Sequence, residues 1–295
     1  MKLRFWGVRG SIASPGPETV RYGGNTTSLE IRTDDGLLIL IDGGTGIFRA
    51  AQSLLASMPL DVNIFITHTH WDHIQGLPFF VPIFVPDNNI HIHGPVNPVT
   101  GNGVQQVIGV QLQCSFFPVR EAELRANIKY RSLTPGETVT VGDATITPVL
   151  MNHPVVNLGY RIDCNGKSFF FSGDHEPHAN IYAPGDDAYA GFQTMIDHQR
   201  NEIDRVLAGV DVLVMDSSFT PDEYKTKIGW GHGTFDNAMQ LAHRVGAKTL
   251  FCTHHEPTRS DDALEAAFSA ALARNPVAAT NVDIQLAKEG LVLDW

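Results

Sequence analysis

The sequence predicts an α/β fold in which two sheets carry helices on their outer faces, as one continuous unit over residues 1–295. Short β runs dominate the first half, strands and helices alternate in the last third, and no repeat, heptad or low-complexity tract breaks the order. The first β group comprises Lys2 to Val8, Thr27 to Arg32, Leu37 to Ile41 and Val62 to Thr67. Before the last of these, Gly43, Gly44 and Gly46 lead into a helical stretch, Ile47 to Ala56, that stops ahead of Pro59. A second β group runs through Thr138 to Val141, Ala144 to Leu150, Gly159 to Asp163 and Ser168 to Ser172, with Asn165-Gly166 marking a tight hairpin. The chain then alternates: helix near Asp187 to Leu207, strand Val210 to Met215, helix Phe235 to Val245, strand Thr249 to Thr253, helix Asp261 to Arg274. Short strands at Asp283 to Gln285 and Leu291 to Leu293 finish it. Ser260 is placed to cap the third of these helices, and Asp261 and Asp262 suit the positive end of its dipole. The span Pro82 to Pro135 reads differently. Rich in Pro, Gly and Asn and weakly periodic, it is expected to run over the surface and shape the mouth of a site.

Composition narrows the function before any motif is placed. With 43% hydrophobic and 18% charged residues the chain is not compositionally disordered. Thirty-two acidic residues against twenty-one basic ones leave a formal charge of -11, the wrong sign for gathering nucleic acid through its phosphates. A small anion at a cationic centre remains compatible with that charge. The longest apolar runs, such as Leu37 to Ile41, are strand-sized, so no transmembrane helix is expected. Met1 to Gly10 lacks the apolar region of a secretory signal, and a cytoplasmic location is the expectation. Cys114, Cys164 and Cys252 are scattered and odd in number, which reads as small apolar residues rather than a disulfide frame or thiolate site.

Thirteen histidines are many for such a chain, and their placement carries the chemistry. Thr67-His68-Thr69-His70-Trp71-Asp72-His73 follows an apolar strand directly, so one short loop presents three imidazoles and a carboxylate at a strand's carboxyl end. Neutral imidazole and carboxylate oxygen are the ligands that zinc and similar divalent ions take. Four such groups in one loop do not close sensibly around one ion, so further ligands are expected elsewhere. His153, Asp174 and His254 each lie just past a predicted strand, where residues far apart in sequence converge on one rim.

HxHxDH, a lone His, Gly-Asp and a late His resemble the metallo-β-lactamase superfamily, and the likeness spans essentially the whole chain. It implies an αββα sandwich with a two-metal centre at one edge. Carried over by position, it implies that His68, His70 and His153 hold one ion and Asp72, His73 and His254 the other, with Asp174 bridging. His255 competes with His254; His254 is preferred because it follows Thr253 directly at the strand end. Gly209 to Ser218, followed by Gly231-His232-Gly233-Thr234, is similar to the late motifs of the phosphodiesterase branches, including tRNA 3′-end endonucleases and phosphoribosyl cyclic phosphodiesterases. In those enzymes the histidine matching His232 protonates the leaving alkoxide and the acid matching Asp216 orients it. Asp216 stands where Glu is more usual, and Gly233 where Ser is commoner.

The implied catalytic residues are therefore Asp72, His232 and Asp216, and the implied cofactors are two divalent ions. Zinc is the default, with manganese and iron also suited to mixed nitrogen and oxygen ligands. Two metals roughly 3.5 to 4 Å apart turn a bridging water into hydroxide near pH 7 and clamp a phosphodiester oxygen. The expected activity is hydrolysis of a small cyclic or nucleotide-like phosphodiester. The expected partner is that small anion, with nucleic acid disfavoured, no membrane, and a homodimer left open. The alternatives are a lactone or other carbon-ester hydrolase, a tRNA 3′-processing endonuclease and a non-catalytic metal-binding sensor. A redox diiron centre is disfavoured because His70 stands where electron-transfer relatives place Glu. Trp71 is expected to pack beneath the metal site, with a place at the pocket's edge as the alternative. The loops bearing Arg9, Arg21 and Asn25 read as tight turns, with backbone contact to phosphate as the alternative. His91 and His93, two apart on a strand, read as surface histidines rather than a second metal site, and His175 as a neighbour of the ligands.

Overall fold

Phe169, Phe170 and Phe171 are consecutive and all buried, which one half-exposed sheet does not accommodate. In the computed structural model, which describes residues 1–295, Phe169 and Phe171 enter an inner core between two stacked sheets, while Phe170 enters an outer core beneath helices. Alternation along a strand divides such a run between two layers.

The first sheet contains β1 (Lys2–Gly7), β2 (Ser28–Arg32), β3 (Leu38–Ile41), β4 (Asp61–Phe65), β5 (Asn89–Pro95) and β6 (Asn127–Leu133) in that order. The second contains β7 (Val139–Val141), β8 (Ala144–Met151), β9 (Asn157–Cys164), β10 (Lys167–Phe171), β11 (Val212–Asp216), β12 (Thr249–Thr253) and β13 (Asp283–Leu286). The last strand, β14 (Val292–Asp294), returns to the first sheet beside β1. Each sheet is antiparallel at one side and parallel at the other, the parallel sets being β3 to β6 and β10 to β13.

Helices α1 (Gly46–Leu54), α2 (Trp71–Ile74) and α3 (Val104–Gln111) belong to the first half of the chain. Helices α4 (Tyr189–Leu207), α5 (Pro221–Tyr224), α6 (Phe235–Val245), α7 (Asp261–Arg274) and α8 (Pro276–Asn281) belong to the second. Ile47, Ala50 and Leu54 of α1 share one outer core with Val62 and Ile64; Ile203 of α4 and Phe235, Met239 and Ala242 of α6 share the other with Phe170 and Leu213. The result is the four-layer αββα sandwich. Thr234 caps α6 by accepting from the Asn237 amide at 3.1 Å, Gly246 at φ 69° ends it, and Ser260 caps α7 by accepting from Ala263 N at 3.2 Å.

The span Pro82 to Pro135 departs from its reading as a surface excursion. It supplies β5 and β6, which extend the first sheet in parallel, and only the stretch between them, carrying α3, runs over the sheet. The strand read at His91 and His93 is β5, where the two histidines occupy alternate positions. His93 is buried, stacked on Phe65 at 4.4 Å, with Nε2 3.1 Å from Asn63 Oδ1. Helix α8, begun by Pro276, is a further element that the sequence pattern did not suggest.

Candidate metal centre

The loops after β4, β8, β10, β11 and β12 meet at one rim of the sandwich, and they carry all seven expected ligands and His232, with Asp216 at the end of β11. Two crossings between the sheets set the first loop. Tyr160 donates its hydroxyl to Ile66 O at 2.7 Å, and Leu158 N donates to Thr67 O at 2.9 Å. The loop then turns into α2, whose single turn buries Asp72, His73 and Ile74.

Two groups of potential ligand atoms result, His68, His70, His153 and Asp174, and Asp72, His73, Asp174 and His254, with Asp174 common to both. Asp174 Oδ2 lies 3.4 Å from His68 Nε2 and 3.8 Å from His153 Nε2, while Oδ1 lies 3.1 Å from both His73 Nε2 and His254 Nε2. Asp72 Oδ2 lies 3.3 Å from the same two nitrogens of His73 and His254. His153 Nε2 and His70 Nδ1 face each other at 3.1 Å. His255 points away, its Nε2 donating to Ala287 O at 2.8 Å.

These residues fit a divalent cation on the donor set alone. His68 Nε2, His73 Nε2 and Asp174 Oδ1 are buried without a hydrogen-bond partner, although His73 Nε2 and Asp174 Oδ1 sit within 3.1 Å. Buried polar atoms ordinarily find partners, so convergent orphans mark a place for something else that accepts lone pairs. Burial holds the His68 imidazole down at about 3, with the neighbouring His73 acting the same way, and burial also lowers His70 and His153. These three are therefore neutral, the form that ligates. Burial disfavours charge on His73 too, yet Asp174, Asp72 and Asp42 outweigh it and raise its pKa well above the ordinary value.

Asp42, which sequence reading missed, backs this centre. At the end of β3, its Oδ2 lies 2.7 Å from His73 Nδ1, and its Oδ1 accepts from Thr67 N at 2.7 Å. A carboxylate behind a ligating histidine fixes tautomer and orientation and raises basicity. The signal was available in Leu-Ile-Asp-Gly-Gly, a carboxylate at the end of an apolar strand. Ser11 was missed as well; its amide donates to Asp72 Oδ2 at 2.8 Å. Ser11 (φ 59°), Asp42 (61°) and His254 (59°) are three of the five non-glycine residues with positive φ. Strained backbone is thus gathered where the cluster is built.

His232 and Asp216 adjoin the shared carboxylate. His232 Nδ1 lies 2.8 Å from Asp216 Oδ2 and 3.8 Å from Asp174 Oδ2. Burial opposes charge on His232, but Asp216 and Asp174 outweigh it and raise the imidazole to about 9. A cation on Asp174 would cancel that residue's share and bring the ring back towards neutrality, leaving Asp216 as the lasting partner.

The reading of Trp71 fails for a clear reason. Trp71 does not pack beneath the site: it is 59% exposed, because the turn that buries Asp72 and His73 points its first residue outwards. The side chains of the loops read as tight turns are spent on protein partners, Arg9 first. It is fully buried, donating to Gly23 O, Glu256 O and Arg259 O and pairing with Asp261. Arg21 pairs with Asp262, and Asn25 donates to Glu289. His91 faces Asp61 at 3.5 Å rather than His93's partner Asn63.

Fold and cluster together define a metallo-hydrolase of the four-layer type. Residues 38–255 match the family model described as a beta-lactamase superfamily domain, and the chain belongs to that superfamily. The ribonuclease Z of Haloarcula marismortui is 24% identical, over 86% of this chain and 86% of its own length. Among solved structures, a diphosphatase from the PhnP family has a TM-score of 0.62 at 20% identity, covering 100% of this chain and 97% of its own. The short form of human tRNase Z has a TM-score of 0.63 at 18% identity, covering 100% and 99%. The protein is thus a hydrolase of the metallo-β-lactamase fold, a family membership that implies divalent metal binding. No helix is long and apolar enough to cross a membrane.

Proposed function

We propose that the protein is a dinuclear metal-dependent phosphodiesterase acting on a small cyclic or nucleotide-like phosphodiester. The observation that carries it is the His232–Asp216 pair, 2.8 Å apart, set beside the carboxylate common to both ligand groups. On this reading His68, His70 and His153 hold one ion, Asp72, His73 and His254 the other, and Asp174 both. Zinc is the first choice for so many imidazoles. Such ions supply an activated water and withdraw charge from the phosphoryl oxygens.

The chain's own groups do the rest. Asp216 accepts from His232 Nδ1, so Nε2 is the end that donates a proton to the departing ester oxygen. Ser218 Oγ, 2.8 Å from Asp216 Oδ1 and 3.0 Å from His254 Nδ1, ties that acid to the ligand loop. The Ser11 amide keeps Asp72 turned inwards. A lactone hydrolase needs no such donor to an alkoxide in the same way.

The test is hydrolysis of bis(p-nitrophenyl) phosphate and a panel of cyclic nucleotides by metal-loaded protein, with His232→Ala alongside. The variant is expected to lose roughly 10²-fold or more on the cyclic substrates. Failure of the wild type on every diester, or a much smaller loss in the variant with lactones turned over, counts against the reading. A second reading, tRNA 3′ processing, is favoured by the name of the relatives matched over 86% of the chain. The charge of -11 weighs against it. Cleavage of precursor tRNA faster than any small diester would establish it instead.

A further inference from the structure

We infer that Glu176 is a positioning residue that straps the loop carrying His232 against the loop carrying His153. The inference rests on the diester reading of the same site. Glu176 is buried two residues past Asp174 and touches none of the candidate ligands with its carboxylate. That carboxylate accepts instead from three donors of one segment: Tyr224 Oη at 2.6 Å and Gly229 N at 2.8 Å on Oε1, and Gly231 N at 2.8 Å on Oε2.

At its far end the segment between α5 and α6 is held by the Phe219 N to Gly233 O bond at 3.1 Å and the His232–Asp216 pair, and within it by the turn bond from Trp230 N to Lys227 O at 3.1 Å; the Gly229 and Gly231 amides are held by Glu176. The segment contains no regular element, and its apolar side chains face outwards, Ile228 at 65% and Trp230 at 60% exposure. Gly229 and Gly231 both have positive φ, 85° and 88°, and a Cβ on Gly231 would lie 2.2 Å from His153 Nδ1. The loop therefore passes against His153 with no room to spare, and Gly231 O accepts from His153 Nδ1 at 3.0 Å. The next residue is His232.

The backbone of Glu176 completes the strap. Its N–H donates to Asn152 O at 2.9 Å, and its carbonyl accepts from Asn152 Nδ2 at 3.0 Å. One residue thus ties the His153 loop, the Asp174 loop and the His232 loop together. A single carboxylate taking three donors fixes a loop more tightly than separate partners, because the three bonds share one anchor already held at both its peptide groups. What it fixes is the approach of His232 Nε2 to the ester oxygen, where a misplacement of about 1 Å costs roughly 10²-fold.

The experiment compares wild type, His232→Ala, Glu176→Ala and Glu176→Gln, metal-loaded. Each is assayed on a diester with a p-nitrophenolate leaving group and on one with an alkoxide leaving group. Hydrogen exchange over residues 221–233 is followed in parallel. Glu176→Ala should lose roughly 10²-fold in kcat on the alkoxide substrate, far less on the p-nitrophenyl one, with KM little changed, since p-nitrophenolate departs without a proton. Glu176→Gln, which keeps the shape but turns an amide N–H towards at least one donor, should fall between. Exchange at Gly229 and Gly231 should rise in both variants while α6 stays protected. Equal losses on both substrates, or unchanged exchange in Glu176→Gln, overturns the proposal. A wild type inert towards every diester, with the exchange difference intact, sinks the reaction assigned to the site and leaves the strap standing.

Discussion

Two buried polar clusters back onto each other at His254 and His255. On the His254 side, imidazoles and carboxylates crowd within 3.1 to 3.4 Å and leave buried atoms without partners. On the His255 side, a fully buried Arg9 directs its guanidinium at three carbonyls and Asp261, and His255 Nε2 bonds Ala287 O. Burial and charge are alike in the two; the convergence of unpartnered atoms is not. On the His255 side the guanidinium donors are spent on carbonyls and Asp261, cementing β1 to the ends of β12 and α7, and a single ring nitrogen, His255 Nδ1, is left over; on the His254 side several partnerless atoms face one another, the arrangement that suits a ligand.

Exchanging residues between these sides should separate binding from stability. Asp174→Asn is expected to cause the largest change: metal content by elemental assay falls below two ions per chain, and hydrolysis falls roughly 10³-fold, about 4 kcal/mol of barrier. Arg9→Met should leave metal content intact in the folded protein yet cost about 3–5 kcal/mol in urea melts run with chelator, since Asp261 stays buried without its guanidinium, keeping only the Arg21 amide as a partner. If Arg9→Met instead strips metal, the two clusters are one unit.

A smaller effect sharpens the boundary. Asp42→Asn removes the carboxylate behind His73 and should weaken metal affinity about 10- to 100-fold by competition with a chelator, with the fold retained. The smallest effect is in pH. Burial, aided by Arg9 and Arg259, holds His255 at about 3 against an ordinary value of 6.5. Between those values the unfolded chain binds the proton and the folded one does not, so this contribution is whole above about 6.5 and lost as pH falls towards 3. The slope reaches about 1.4 kcal/mol per pH unit. Melts from pH 7 to 5 in chelator, compared between wild type and His255→Gln, should show a shallower loss of stability in the variant, the other buried histidines such as His68 keeping their own shares.

Much of the site was legible because its chemistry is written in residue types that ordinary loops do not collect. His68 to His73 stands out as a cluster in one loop, and His153, Asp174 and His254 stand out as polar residues directly after apolar runs. Asp42 and Glu176 were not legible, since a single carboxylate near glycines has the look of any turn. Only the distances to His73 Nδ1 and to the Gly229 and Gly231 amides separate them from a turn residue. His93 was misjudged for the converse reason: placed on a strand by the sequence, it read as a surface residue until Phe65 and Asn63 bury it.

By itself the sequence determined the alternating elements, the cap of α7, and the loops bearing the ligand-type side chains, because periodicity and local polarity act over a few residues. Which of two adjacent histidines enters the cluster, where Trp71 points, and which carboxylates stand behind the first ring of groups were decided only by the stacking of the two sheets. Those outcomes depend on contacts between segments up to about two hundred residues apart, such as His254 with Asp72, and no local preference of the chain encodes them.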